Sequence, residues 1–240
     1  MKKFFFLVLA GCSSPTMTSN DAVLDASDVG MEAAMEVEVG GSMCTSVVQQ
    51  FLDPKDSVSM ASVTVVSDMA GVKTVYVDAT AGGFQPTEPR VYVALSSGMR
   101  VDITDKQAPT STQWDLAFKR YVIFTNSGDT GPGKGGTMIV PKAFDQVTSA
   151  DAMGTFNVET LVDKDCNPMM DMLGGPNTTF SGWYNYNMQT MQLTPKAVTY
   201  IVRGANGTSL YKIAIQTYYG LSDGGTGMTG ANFVFKLAAL

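Results

Sequence analysis

The stretch QWDLAFKRYVIFTNSGDTGPGKGG, from Gln113 to Gly136, decides how the rest of the chain is read. Gly128, followed after four residues by Gly133-Lys134, has the outline of a phosphate-binding loop. Such a loop needs a strand leading into a Gly-rich turn at a helix N-terminus, where amides and dipole meet the phosphates. It also needs a hydroxyl directly after the lysine to hold magnesium. Here Lys134 is followed by Gly135, and Thr137-Met138-Ile139-Val140-Pro141 reads as a strand stopped by proline. Neither the hydroxyl nor the helix is there, so a nucleotide partner is not expected. The glycines are read as a tight connection between two strands, adopting positive φ at low cost.

Strand patterns extend in both directions from this segment. Lys73 to Asp78 alternates apolar and polar residues, and Arg90 to Leu95 follows after a Gly/Pro-rich gap. Tyr121–Thr125, Thr137–Val140, Val198–Val202, Leu210–Thr217 and Asn232–Leu237 repeat the pattern between turn residues. Ala205-Asn206-Gly207 supplies an Asn-Gly hairpin turn. No stretch sustains the helical period that a βαβ fold requires. The expected fold class is an all-β, mostly antiparallel domain running from about Val72 to Leu240.

The N-terminus reads differently. Met1 to Cys12 has two lysines, a short apolar run from Phe4 to Ala10, and then Gly11-Cys12. That run is too short to span a bilayer and is expected to be a secretory signal. Leu9-Ala10-Gly11-Cys12 resembles a bacterial lipobox, which implies lipidation of Cys12, removal of residues 1–11 and a membrane partner through the lipid. Ser13 and Ser14 follow, with no Asp, which by resemblance to proteobacterial lipoproteins sends the protein to the outer membrane. Residues 12–71 are expected to be mainly a flexible tether, with a short ordered piece around Val47 to Phe51.

Charge and missing residues narrow the function. The formal net charge is −6, and losing Lys2 and Lys3 takes it to −8, against a nucleic-acid partner. The chain has no histidine, which removes Ser-His-Asp and Cys-His hydrolysis and every His-ligated metal site. No carboxylate pair stands out by its spacing. Asp115 is the most conspicuous acid, and its expected role is structural, accepting bonds from nearby amides. A binding protein with no turnover is therefore expected. Of 3 cysteines, Cys44 and Cys166 remain after Cys12, and the two either pair or stay as buried thiols.

The 16 methionines are unusual. Met169, Met170 and Met172 follow Cys166 closely, with Met188 and Met191 beyond. Thioether sulfur is a soft neutral ligand suited to haem iron and Cu(I), although methionine is more often a flexible core filler.

Three segments together resemble the HmuY family of haem-binding bacterial lipoproteins. They are Gln113 to Gly136, Tyr200-Ile201-Val202-Arg203-Gly204-Ala205-Asn206-Gly207, and the weaker Lys73 to Asp78. The resemblance implies an all-β fold whose extended loops grip haem between two axial ligands, and a partnership with an outer-membrane haem transporter. Histidine, the usual ligand, is missing. Aligning Gly182-Trp183 with the family's Gly-Trp places one ligand at Met188. The other falls in the loop holding Cys166, Met169, Met170 and Met172, with Met169 or Met170 favoured and Cys166 a rival as thiolate. An extended Tyr184 to Met188 would set Tyr184, Tyr186 and Met188 on one face, two aromatic rings beside the ligand, with Met191 on the opposite face. The competing reading is a structural or adhesive surface β-domain that stacks sugar on Trp183, Tyr184 and Tyr186. A Cu(I) binder ranks third because the methionines lack a tight repeat.

Overall fold

A computed structural model describes residues 44–80 and 87–240. The lipobox and Cys12 lie outside the described residues. Among the described residues, helix α1 (Thr45–Leu52) comes first, then twelve strands. The early ones are β1 (Val63–Met69), β2 (Val72–Asp78), β3 (Val91–Ala94), β4 (Met99–Val101), β5 (Leu116–Lys119), β6 (Val122–Thr125) and β7 (Gly136–Val140). The later ones are β8 (Tyr184–Asn187), β9 (Gln192–Pro195), β10 (Thr199–Arg203), β11 (Leu210–Thr217) and β12 (Asn232–Ala239). They form a six-stranded sheet in the order β1-β2-β12-β11-β10-β7, a four-stranded sheet β4-β3-β5-β6, and the β8-β9 hairpin. Every pairing between these strands is antiparallel, as the alternating runs and short turns predict.

The two larger sheets bury a common core. Val75 and Val77 of β2, Val91 and Val93 of β3, and Phe233 and Phe235 of β12 are fully or almost fully enclosed. Phe118 of β5 meets Phe233 and Phe235 with ring centroids 5.3 and 5.9 Å apart, bridging one sheet to the other. Leu116 and Phe118 face this core, yet Ala117 between them is also buried. Its side belongs to a second cluster with Tyr92, Trp114 and Phe124, closed over by Val48 and Leu52 of α1. A strand covered on both faces reads as a continuous apolar run, which is why Leu116-Ala117-Phe118 does not alternate.

The ordered domain therefore begins ahead of Val72. Within the expected tether, α1 covers a sheet face and β1 forms one edge of the larger sheet. The short ordered piece expected around Val47 to Phe51 is α1, whereas β1 was not expected, and α1 is held by links that sequence spacing does not display. A disulfide joins Cys44 to Cys166 across 122 residues, with Cα atoms 5.2 Å apart. At the other end of α1, the Arg90 guanidinium donates to the Leu52 carbonyl and pairs with Asp105 at 3.0 Å. The Asp105 carboxylate also accepts from the Arg90 amide and the Tyr92 hydroxyl, so the buried pair is fully engaged. No helix among the described residues is long and apolar enough to cross a membrane.

Candidate functional site

Strands β5 and β6 pair Lys119 with Val122, leaving Arg120 and Tyr121 as a two-residue turn. Arg120 takes φ 54, a left-handed conformation that costs a side-chain-bearing residue about 1 kcal/mol or more. The turn is fixed from several directions. The Arg120 amide donates to the Ala79 carbonyl at 2.6 Å, and the Trp183 indole N–H donates to the Tyr121 carbonyl at 2.8 Å. The Tyr121 hydroxyl donates to Asp171 at 3.1 Å. Asp171 also accepts from the amides of Leu173 and Gly175 and from the Tyr184 hydroxyl. One carboxylate thus ties the methionine-rich loop to the turn and to β8. Burial, reinforced by Asp171, raises both the Tyr121 and Tyr184 phenols, so both stay protonated donors at neutral pH.

Beside this turn lies a cavity of 590 Å³, within the range of about 300–1,000 Å³ usual for small-molecule sites. Tyr121, Tyr186, Tyr218 and Tyr219 line it, with Leu173, Leu193, Met191 and Arg120. Tyr218 and Tyr219 meet edge to face at 5.3 Å, and the Leu193 amide donates to the Tyr219 hydroxyl at 3.0 Å, which docks the β8-β9 hairpin on the wall. Burial pushes the Tyr218 phenol up to about 12. A second cavity of 440 Å³ shares Arg120, Tyr121 and Leu173 with the first and adds Phe51, Lys119, Val122 and Phe124.

Backbone strain gathers at these cavities. Among the described residues, the non-glycine positions with positive φ are Asp53, Ala70, Arg120, Cys166, Met191 and Ala231. Arg120, Met191 and Ala231 line the larger cavity, and Asp53 lines the smaller. Strained conformations persist where the surrounding structure over-determines them, and ligand sites are where they concentrate.

The sequence model of the HmuY protein family matches residues 87–233, well over half the chain. The chain belongs to the HmuY family. No curated protein matches it. Among solved structures, it is similar to a HmuY-like protein of Bacteroides vulgatus ATCC 8482 described as haem-binding. That likeness has 16% identity over 76% of this chain and 97% of the other, with a TM-score of 0.44. It is also similar to the apo HmuY analogue of Tannerella forsythia, with 18% identity over 76% and 99% of the two chains and a TM-score of 0.46.

In this HmuY-family chain the glycines of the signature wrap Asn126. The Asn126 side chain accepts from the Gly133 amide and donates to the carbonyls of Ser111 and Trp114, while its own carbonyl accepts from the Gly135 amide. A Cβ at Gly133 or Gly135 would lie 2.6 Å from the Asn126 carbonyl oxygen. These two glycines serve close approach; positive φ is confined to Gly128 and Gly136 in this loop. Asp115 has the expected structural role, accepting from the amides of Leu95 and Ala205.

The structure disperses the residues that the sequence grouped. Tyr186 lines the larger cavity, but Tyr184 sits behind its wall, 4% exposed against Trp183. Met188 lies past the end of β8 and is 83% exposed, and Met170 is 59% exposed. Met169 is half-buried on the loop that delivers Leu173 to the cavity. Cys166 is not a thiolate ligand, because its sulfur is bonded to Cys44. Met191 is not on the far face. The hairpin register pairs Tyr186 with Leu193, so one more step along that face from Leu193 arrives at Met191. Trp183 is buried with its indole N–H committed, so it is not a sugar-stacking surface.

Sequence reasoning missed Lys119, Arg120, Tyr121, Asp171, Tyr218 and Tyr219. Lys119-Arg120-Tyr121 stood inside the quoted signature, and their signal was a charged pair interrupting an apolar strand run. Tyr218 and Tyr219 carried no local signal, since only the packing of the separate β8-β9 hairpin onto the end of β11 sets them against it.

Proposed function

We propose that this protein is a haem-binding lipoprotein that captures haem outside the cell and passes it to an outer-membrane transporter. The observation that carries this reading is the cavity of 590 Å³ with four tyrosines and a strained methionine in its wall, in a chain of the HmuY family. A flat apolar macrocycle fits aromatic and aliphatic walls, and a histidine-free site must offer its iron another donor. Thioether sulfur is that donor. The β8-β9 turn, with Met188 and Met191, would hold one ligand. The loop with Met169 and Met170 would hold the other, anchored through Asp171. Tyr186 would contact the ring directly, and Tyr184 would brace the wall from behind. The protein performs no turnover: its residues bind, orient and shield the group.

An absorbance titration of the purified protein with ferric and then dithionite-reduced haem tests this. A saturable Soret shift is expected, with tighter binding in the ferrous state, because a neutral sulfur ligand favours Fe(II). No saturable change in either state would overturn the haem reading.

A further inference from the structure

The smaller cavity has an electrostatic character that its apolar walls do not explain. Arg90, Lys119 and Arg120 line it, in a chain whose net charge is −6. Asp53 is the carboxylate in its wall, and Asp53 is taken by Lys55 at 2.6 Å. Arg90 is neutralised by Asp105. Lys119 is half-buried, and among the described residues its ammonium makes no hydrogen bond or ion pair. Burial lowers its pKa, followed by the repulsion of Arg90, with Asp105 acting in the opposite sense. A half-buried cation without a hydrogen-bonding counter-charge is costly, and an anionic ligand group would relieve that cost.

We propose that Lys119 is the ion-pair partner of a carboxylate on the ligand, so that the two cavities form one amphipathic site for a flat aromatic acid. The tyrosine-lined cavity takes the macrocycle, and the cationic one takes its propionate edge. The assignment rests on the haem reading. Its geometric basis is the shared wall: Arg120, Tyr121 and Leu173 border both cavities. The left-handed φ of 54 at Arg120 supports it too, because a glycine would meet that turn more cheaply but would bring no charge to the junction. Charge-assisted pairing in a partly desolvated pocket gives recognition of the acid as well as affinity.

The full-length chain and its Lys119→Ala and Lys119→Arg variants would be titrated with hemin and with hemin dimethyl ester in the same mild detergent, reading the Soret change. Lys119→Ala is expected to weaken hemin by about tenfold while leaving the ester within about twofold, and Lys119→Arg to restore hemin binding. If wild type binds hemin but Lys119→Ala weakens both ligands equally, or neither, the carboxylate role is wrong while the haem reading stands. Failure of wild type to bind either ligand overturns both.

Discussion

At the scale of single residues, the exchange of Met191 for Met188 in the cavity wall is the most instructive change. Counting alternation along one strand put Met191 opposite Met188. The chain instead reverses between Asn187 and Gln192, and antiparallel pairing returns β9 to the same face. Met191 occupies a left-handed position, φ 55, inside that reversal. Met191→Ala is therefore expected to alter the haem Soret band and weaken binding at least as much as Met188→Ala, read by titrating the two variants in parallel. If Met191→Ala binds as wild type while Met188→Ala does not, Met188 is the ligand instead. Met191→Ala should also cost little stability, since the side chain is 76% exposed and leaves no core void.

At the scale of elements, α1 and the methionine-rich loop are held together by one covalent bond. The disulfide spans 122 residues, and closing a loop of ~100 residues is worth about 4–5 kcal/mol in the chain-entropy model. Phe51, Leu52 and Asp53 at the end of α1 face Leu173, Gly174 and Gly175 across the smaller cavity, so both partners of the bond lead into the same site. A Cys44→Ser/Cys166→Ser double variant is expected to lose several kcal/mol of that stabilisation, measured by urea denaturation with the slope checked against wild type. An unchanged midpoint would mean that the packing of Val48 and Leu52 alone holds the helix.

At the scale of the whole molecule, a two-sheet core carries a site built from its loops and one hairpin. The sheets supply the rigid part: β5 and β6 aim the Arg120–Tyr121 turn, and β11 and β12 bring Tyr218 and Ala231 to the opposite wall. The proposed tether to a membrane belongs to the part of the chain that precedes this domain. Mature protein isolated from the native cell should begin at an acylated Cys12 and partition with membranes, as mass spectrometry of its N-terminus would show. An unmodified N-terminus at any other residue would sink the lipoprotein assignment, and Cys12→Ser should block processing or release the protein.

The sequence by itself determined the all-β class, most strand positions, the Asn206-Gly207 hairpin, the structural Asp115 and the failure of the phosphate-loop reading. These depend on alternation, turn chemistry and a missing hydroxyl, all properties of neighbouring residues. Tertiary structure alone decided the partner of Cys44, the strand β1 ahead of Val72 and the surface that α1 covers, and which methionine lines the cavity. It also decided that Lys119, a residue inside an apolar strand run, stands in a ligand-sized space where, among the described residues, no counter-charge is bonded to it. Each of these depends on which strands lie side by side and in what register, and that is set by contacts between segments as distant as Tyr121 and Tyr218. Local pattern fixes which face of a strand is apolar; only the assembled sheets fix what that face meets.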